Sequence, residues 1–115
     1  MRRGEVCLID LDPAVGSEAN KRRPAVIVSN DRANAAAERL GRGVVTVVPI
    51  TSNVARLFPF QVLLPAGSSG LRVDSKARAE QVRSIAVERI GSSLGHLPAA
   101  VMDDIDHALR LHLQL

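Results

Sequence analysis

Three short stretches hold the side chains best suited to chemistry: "GSEANKRRP" (16–24), "PITSN" (49–53) and "AEQVRSI" (79–85). The first carries Ser17, Glu18, Lys21, Arg22 and Arg23 and stops at Pro24. The second ends an apolar run on Thr51, Ser52 and Asn53. The third sets Glu80, Gln81 and Arg83 close together. An arginine beside a hydroxyl, with a carboxylate near by, is the set of parts that metal-free cleavage of RNA requires. A base removes the 2′-OH proton, donors stabilise charge on the phosphoryl group, and an acid protonates the leaving 5′ oxygen. DNA has no 2′-OH and cannot be cut in this way. The donors matter most, since losing one well-placed donor costs on the order of 10²–10³ in rate.

Each stretch has a plainer reading as well. "KRRP" is also an ordinary solvated basic loop, although Arg23, preceding Pro24, is biased toward extended backbone and so is aimed more repeatably than Lys21 or Arg22. Thr51, Ser52 and Asn53 also suit a turn after a strand. In a regular strand "AEQVRSI" would put Gln81 and Arg83 on one face and Glu80 on the other, which an exposed polar face explains equally well. No stretch decides the matter alone.

Other chemistries find little support. The lone Cys7 has no internal partner, lies inside "VCLIDL" and reads as a buried core residue; this fits a reducing cytoplasm. His96, His107 and His112 have no Glu or Cys at metal-ligand spacing, so no metal site or cofactor is expected. With no Trp or Tyr, and only Phe58 and Phe60 as aromatics, binders that stack bases on aromatic platforms are poor candidates.

The elements that must position these residues follow from pattern. "GEVCLIDLDP" (4–13) predicts a first strand. "PAVIVSN" (24–30) is a continuous apolar run that predicts a strand buried on both faces. "DRANAAAERL" (31–40), with Asn30 or Asp31 to cap it and "GRG" to stop it, predicts a short helix. "VVTVVPITSN" (44–53) is the strongest strand, with Pro49 hinting at an edge or bulge. "PFQVLLP" (59–65) and "AEQVRSI" predict further strands, and "AGSSG" (66–70) a tight turn. "PAAVMDDIDHALRLHLQL" (98–115) predicts a terminal helix with Pro98 at its first position and Val101, Met102, Ile105, Ala108, Leu109 and His112 or Leu113 on one stripe.

The chain of 115 residues is read as one domain, 1–115, with 46% hydrophobic and 23% charged residues, as in a soluble globular protein. No run reaches the roughly 18 apolar residues of a membrane span, and the first residues do not read as a signal peptide. Net charge is +3 and arginine supplies nearly all the positive charge. Arginine's planar fork grips phosphate oxygens bidentately, so an anionic partner suits this composition. A mainly β fold is expected: a small antiparallel barrel or curved sheet with an inserted helix and a C-terminal helix closing it.

Taken in order, "RGEV", "DLDP", "GSE", "RPAVIVSN", "VPITS", "PFQVLL", "AEQVRSI" and the terminal amphipathic helix resemble the MazF/PemK family of toxin endoribonucleases. The resemblance implies an SH3-like β-barrel with a C-terminal helix, acting as a cytoplasmic homodimer in bacteria. It implies metal-independent, sequence-specific cleavage of single-stranded RNA, mainly mRNA, leaving 2′,3′-cyclic phosphate and 5′-OH ends. It also implies a cognate MazE-like antitoxin with an acidic, flexible tail. In the family's pattern Arg23 and Thr51 are catalytic, and Glu18 and Glu80 are candidate acid–base or substrate-binding groups. Ser17, Lys21, Arg22, Ser52, Asn53, Gln81 and Arg83 become RNA contacts. Ser17 stands where some relatives have histidine, and a serine is a poor base. Two alternatives share the fold: a gyrase-poisoning toxin, disfavoured because the chain has no Trp, and a non-catalytic RNA-binding module.

Overall fold

A computed structural model describes residues 1–10 and 22–115. In chain order the described elements are β1 (Glu5–Asp10), β2 (Arg22–Ile27), α1 (Asp31–Leu40), β3 (Val44–Thr51), β4 (Gln61–Leu64), β5 (Ser75–Arg78), β6 (Arg83–Ala86), β7 (Ile90–His96) and α2 (Ala99–Leu113). The strands form one antiparallel sheet in the order β4-β5-β3-β2-β1-β7, with β6 also paired to β3. The sheet is open, because β4 and β7 end the path without pairing to each other. The expected barrel is therefore realised only loosely. Among the described residues, no helix is long and apolar enough to cross a membrane.

The continuous apolar run of β2 reflects burial on both faces. Val6, Val26, Val48 and Ile50 pack with Leu64, Leu71, Leu97, Met102 and Ile105 on one side. Their strand neighbours Cys7, Ile9, Ala25, Ile27 and Val47 pack with Ala37, Val45 and Ile85 on the other. Alternation along a strand sends neighbours to opposite faces, so two cores demand apolar residues at every position. α2 covers the first core with Met102 and Ile105, flanked by Val101 and Leu109, while the predicted end of the stripe, His112 and Leu113, is exposed in the last turn. Pro98 lies one residue before the helix as its N-cap, not at its first position.

α1 follows its sequence signals closely. The Asn30 side chain accepts from the Ala33 amide at 2.8 Å, and Gly41, at φ 65°, closes the last turn by donating to the Glu38 carbonyl. Buried Asn34 donates to the Ser29 carbonyl at 2.8 Å, while Ser29 Oγ takes the Thr46 amide at 3.1 Å, so the helix start is tied to β3.

Pro49 is neither at an edge nor at a bulge: it is buried in a central strand, opposite Ala25. One edge of β3 changes partner along its length, pairing with β6 through Val44–Val47 and with β5 through Ile50–Thr51. Thr46 directs its carbonyl to the other edge, toward Val28, so by alternation the missing N–H of Pro49 falls in the gap between β6 and β5. The ladder asks nothing of it there.

The same change of partner corrects the expected strand over 79–85. Leaving β5, the chain makes a single 3-10 turn at Ala79–Gln81, closed by the Val82 amide on the Ala79 carbonyl, before β6 begins at Arg83. Gln81 and Arg83 therefore do not share a pleated face. β7 was not expected from "IGSSLGH". It pairs with β1 through a register that shifts twice, and Gly91 sits where a Cβ would lie 3.0 Å from the Leu8 carbonyl oxygen.

Candidate active site

Two antiparallel strands bring the first and second chemical stretches together. β2 begins with Arg22 and Arg23, both exposed, and β3 ends on half-buried Thr51. Ala25 pairs with Pro49 at the end of the β2–β3 ladder, and Arg23 and Thr51 each lie two residues beyond that pair on their own strands. On the other side of β2, Pro24 pairs with Leu8, Arg23 with Ile9 and Arg22 with Asp10. Arg23 is thus held by its pairing with β1 and by the restriction that the following proline places on its backbone.

These ends open on a cleft of about 420 Å³. Its floor is apolar, made by Leu8, Pro24, Ile50, Leu71 and Leu94. Its rim carries Arg22, Arg23 and Arg72 together with the hydroxyls of Thr51 and Ser52, while buried Ser75 lines it from within and donates its hydroxyl to the Val73 carbonyl at 2.9 Å. The apolar floor lowers the local dielectric, which strengthens whatever the rim cations do to an anion.

Arg22 Nε lies 3.7 Å from Asp10 Oδ1, and both side chains are half exposed, so this is a weak, screened pair. Arg23 has no ion-pair partner among the described residues. Thr51 Oγ1 accepts from the Asn53 amide at 3.2 Å, and Asn53 Oδ1 accepts from the Ala55 amide at 3.2 Å. A hydroxyl that already accepts still has its proton to donate, so Thr51 is held in orientation with its donor free.

Other residues singled out from sequence fall elsewhere. Ser17, Glu18 and Lys21 lie outside the described residues. Asn53 is exposed beside the cleft and reaches it through Thr51. Glu80 sits on the 3-10 turn and is absent from the cleft lining. One of its oxygens takes the Gln61 side-chain amide at 2.5 Å, while the other is buried without a partner among the described residues, as is Arg78 Nε. Gln81 is exposed on that turn, and Arg83 is exposed on β6 opposite Val47. None of the three lines the cleft. Sequence reasoning missed Arg72 and Ser75. They come from the turn before β5 and from β5 itself, and only the signal "GLRVDS", a cation just after a glycine turn, marked them.

Among the described residues no group of three or more His, Cys, Asp or Glu is placed to hold a metal ion. Burial pushes the Cys7 thiol up to about 11, so it is a protonated core residue at neutral pH.

An open antiparallel sheet sealed by a terminal helix, with an arginine-and-hydroxyl cleft at its strand ends, defines a small α+β protein with a cationic cleft. Residues 2–113 match the family of PemK-like, MazF-like toxins of type II toxin–antitoxin systems. Endoribonuclease MazF9 of Mycobacterium tuberculosis (strain ATCC 25618 / H37Rv) is 64% identical over 115 residues, covering 100% of this chain and 98% of the relative. Endoribonuclease EndoA of Bacillus subtilis (strain 168) is 34% identical, covering 100% of this chain and 96% of the relative. A mycobacterial endoribonuclease solved in complex with its cognate antitoxin superposes with a TM-score of 0.78 at 26% identity, covering 100% of this chain and 96% of that one. MazF of Deinococcus radiodurans gives a TM-score of 0.72 at 27% identity, covering 100% and 97%. The chain belongs to the PemK/MazF-like family of type II toxins, and its activity is that of an endoribonuclease.

Proposed function

We propose that the β2–β3 cleft is where this endoribonuclease cuts single-stranded RNA, without a metal ion, through attack of a 2′-OH on its own 3′ phosphorus. The bond from the 2′ oxygen to phosphorus forms and the bond to the 5′ oxygen breaks, leaving a 2′,3′-cyclic phosphate and a 5′-OH. The 2′ proton passes to a base and a proton is delivered to the departing 5′ oxygen. In this reading the guanidinium of Arg23 stabilises the phosphoryl charge and hydrogen-bonds the leaving 5′ oxygen; the Thr51 hydroxyl donates to a non-bridging oxygen. Arg22 and Ser52 hold the backbone on either side, and Arg72 adds a third cation to the rim. Glu18 is the candidate base.

The single observation that carries this reading is the convergence of Arg23 and Thr51 on one cleft from adjacent strand ends. The family supplies the rest: a sequence-selective cut, messenger RNA as main target, a homodimer, a cytoplasmic site of action, and an antitoxin whose acidic tail lies in the same basic cleft. The chemistry is tested with a synthetic RNA carrying one cut site, in EDTA. A 2′-deoxy substitution at the cut nucleotide should abolish cleavage, and the ribose substrate should yield cyclic phosphate ends. Cleavage of the deoxy substrate, or ends that carry a 5′ phosphate, would contradict it.

A further inference from the structure

We propose that Lys76 is a positioning residue for RNA selection, holding the loop that follows Thr51 through the backbone carbonyl of Arg56. The proposal rests on the reading of the β2–β3 cleft as the cutting site.

Lys76 is one of two lysines in the chain and is only 7% exposed. A buried ammonium is costly unless it is well paired, and an apolar residue of similar volume is commonly the more stable choice. No carboxylate pairs with Lys76 among the described residues; its Nζ donates instead to the Arg56 carbonyl at 2.6 Å. The site thus gives up stability to keep a cation whose one acceptor among the described residues is a loop carbonyl.

That loop, residues 52–60, joins β3 to β4 and starts in the cleft at Ser52. Residues 52–59 are all exposed. Its two ends are tied by their own side chains: Asn53 to Thr51 and Ala55 to Asn53 at the start, and the Phe58 amide to Gln61 Oε1 at 3.1 Å at the finish. Among the described residues, the one hydrogen bond to the middle of the loop is the Lys76 tether. Lys76 is also the register partner of Thr51 across β3–β5, so the two side chains lie on one face of the sheet, one strand apart. One buried cation therefore couples the catalytic strand end to the centre of the exposed loop beside the cleft. A loop held in advance presents one wall to RNA. A released loop must be ordered during binding, which weakens affinity and discrimination, and leaves the phosphoryl chemistry at Arg23 and Thr51 unaltered.

The test uses the full chain, a short single-site RNA and a long unstructured RNA, comparing wild type with Lys76→Met and Lys76→Arg. Lys76→Met should raise KM about tenfold, change kcat by less than about threefold, and spread cuts over additional sequences; Lys76→Arg should restore both KM and the cut pattern. Arg56→Gly, which frees the backbone at the tethered carbonyl and leaves Lys76 in place, should broaden the cuts as Lys76→Met does, and Arg56→Ala should not. This pair decides the matter if Lys76→Met fails to fold. Folded Lys76→Met with wild-type KM and cut pattern, a loss confined to kcat, or identical cut patterns for Arg56→Gly and Arg56→Ala would overturn the proposal. The underlying reading fails by a separate result: Arg23→Ala cutting as fast as wild type.

Discussion

Arg23 and Thr51 line one cleft, each two residues beyond the Ala25–Pro49 pair that ends the ladder between their strands. Neither could be placed so reliably by a loop. Each takes its direction from a ladder whose inner residues are fully buried, so the pair inherits the rigidity of the core. One supplies a permanent positive charge and the other a neutral hydroxyl, and the cleft between them is floored by apolar side chains.

Thr51→Val keeps the β-branched shape and removes the hydroxyl. Single-turnover cleavage should slow by about 10²-fold, as for other lost transition-state donors. The Asn53 amide loses its acceptor, but in this exposed position stability should fall by no more than about 1 kcal/mol. Cleavage kinetics and urea unfolding on the same preparation check both parts. A rate within threefold of wild type would remove Thr51 from the chemistry.

Arg22→Ala should behave quite differently. Its contact with Asp10 is long and half exposed, so stability should change by less than about 1 kcal/mol. KM should rise a few-fold, most at low salt, because the lost contribution is a screened attraction for phosphate. Steady-state kinetics at two salt concentrations would show it, and a salt-independent change would argue against a backbone contact.

Gly70→Ala should be strongly destabilising. Gly70 has φ +80° and a Cβ there would lie 2.1 Å from the Leu94 carbonyl oxygen, which is backbone and cannot swing aside. The strain of the left-handed conformation and this clash together should cost about 2–4 kcal/mol. Gly70, Leu71 and Leu94 all line the cleft, so the loss would also show as a raised KM in whatever fraction remains folded. Urea denaturation is the check, and an unchanged midpoint would show that this turn is not packed on β7 as described.

The Cys7 thiol should resist thiol reagents at pH 8 until the protein is unfolded, since burial raises it to about 11. A raised folded value means that its contribution to stability is complete below the ordinary thiol range near 9 and is lost as pH climbs toward 11. Unfolding midpoints between pH 8 and 11 should therefore fall more steeply for wild type than for Cys7→Ala. Parallel slopes would contradict this.

Much of this architecture is legible from sequence because its signals are local. Asn30, Gly41 and the alanines between them specify α1 within ten residues, and the stripe from Val101 to Leu109 specifies α2 and the face it buries. β7 is not legible, because "GSSLG" has the composition of a loop. It is a strand only because β1, more than eighty residues away in sequence, offers it an edge where small residues fit. The turn at Ala79–Gln81 is hidden for a similar reason, since it exists to carry the chain between two partners on one edge of β3. At the site, Arg23 and Thr51 were visible through strand ends and the proline that follows Arg23. Arg72 and Ser75 arrive by long-range packing that no local pattern announces. Glu80, which only the family resemblance assigned to the site, accepts from Gln61 instead.

The most direct test is single-turnover cleavage of a long unstructured RNA in EDTA by wild type and by Arg23→Ala. Wild type should give discrete fragments, and Arg23→Ala, folded as judged by its unfolding midpoint, should cut at least about 10²-fold more slowly at the same positions. Fragments formed equally fast by both proteins would show that the β2–β3 cleft is not where the RNA is cut.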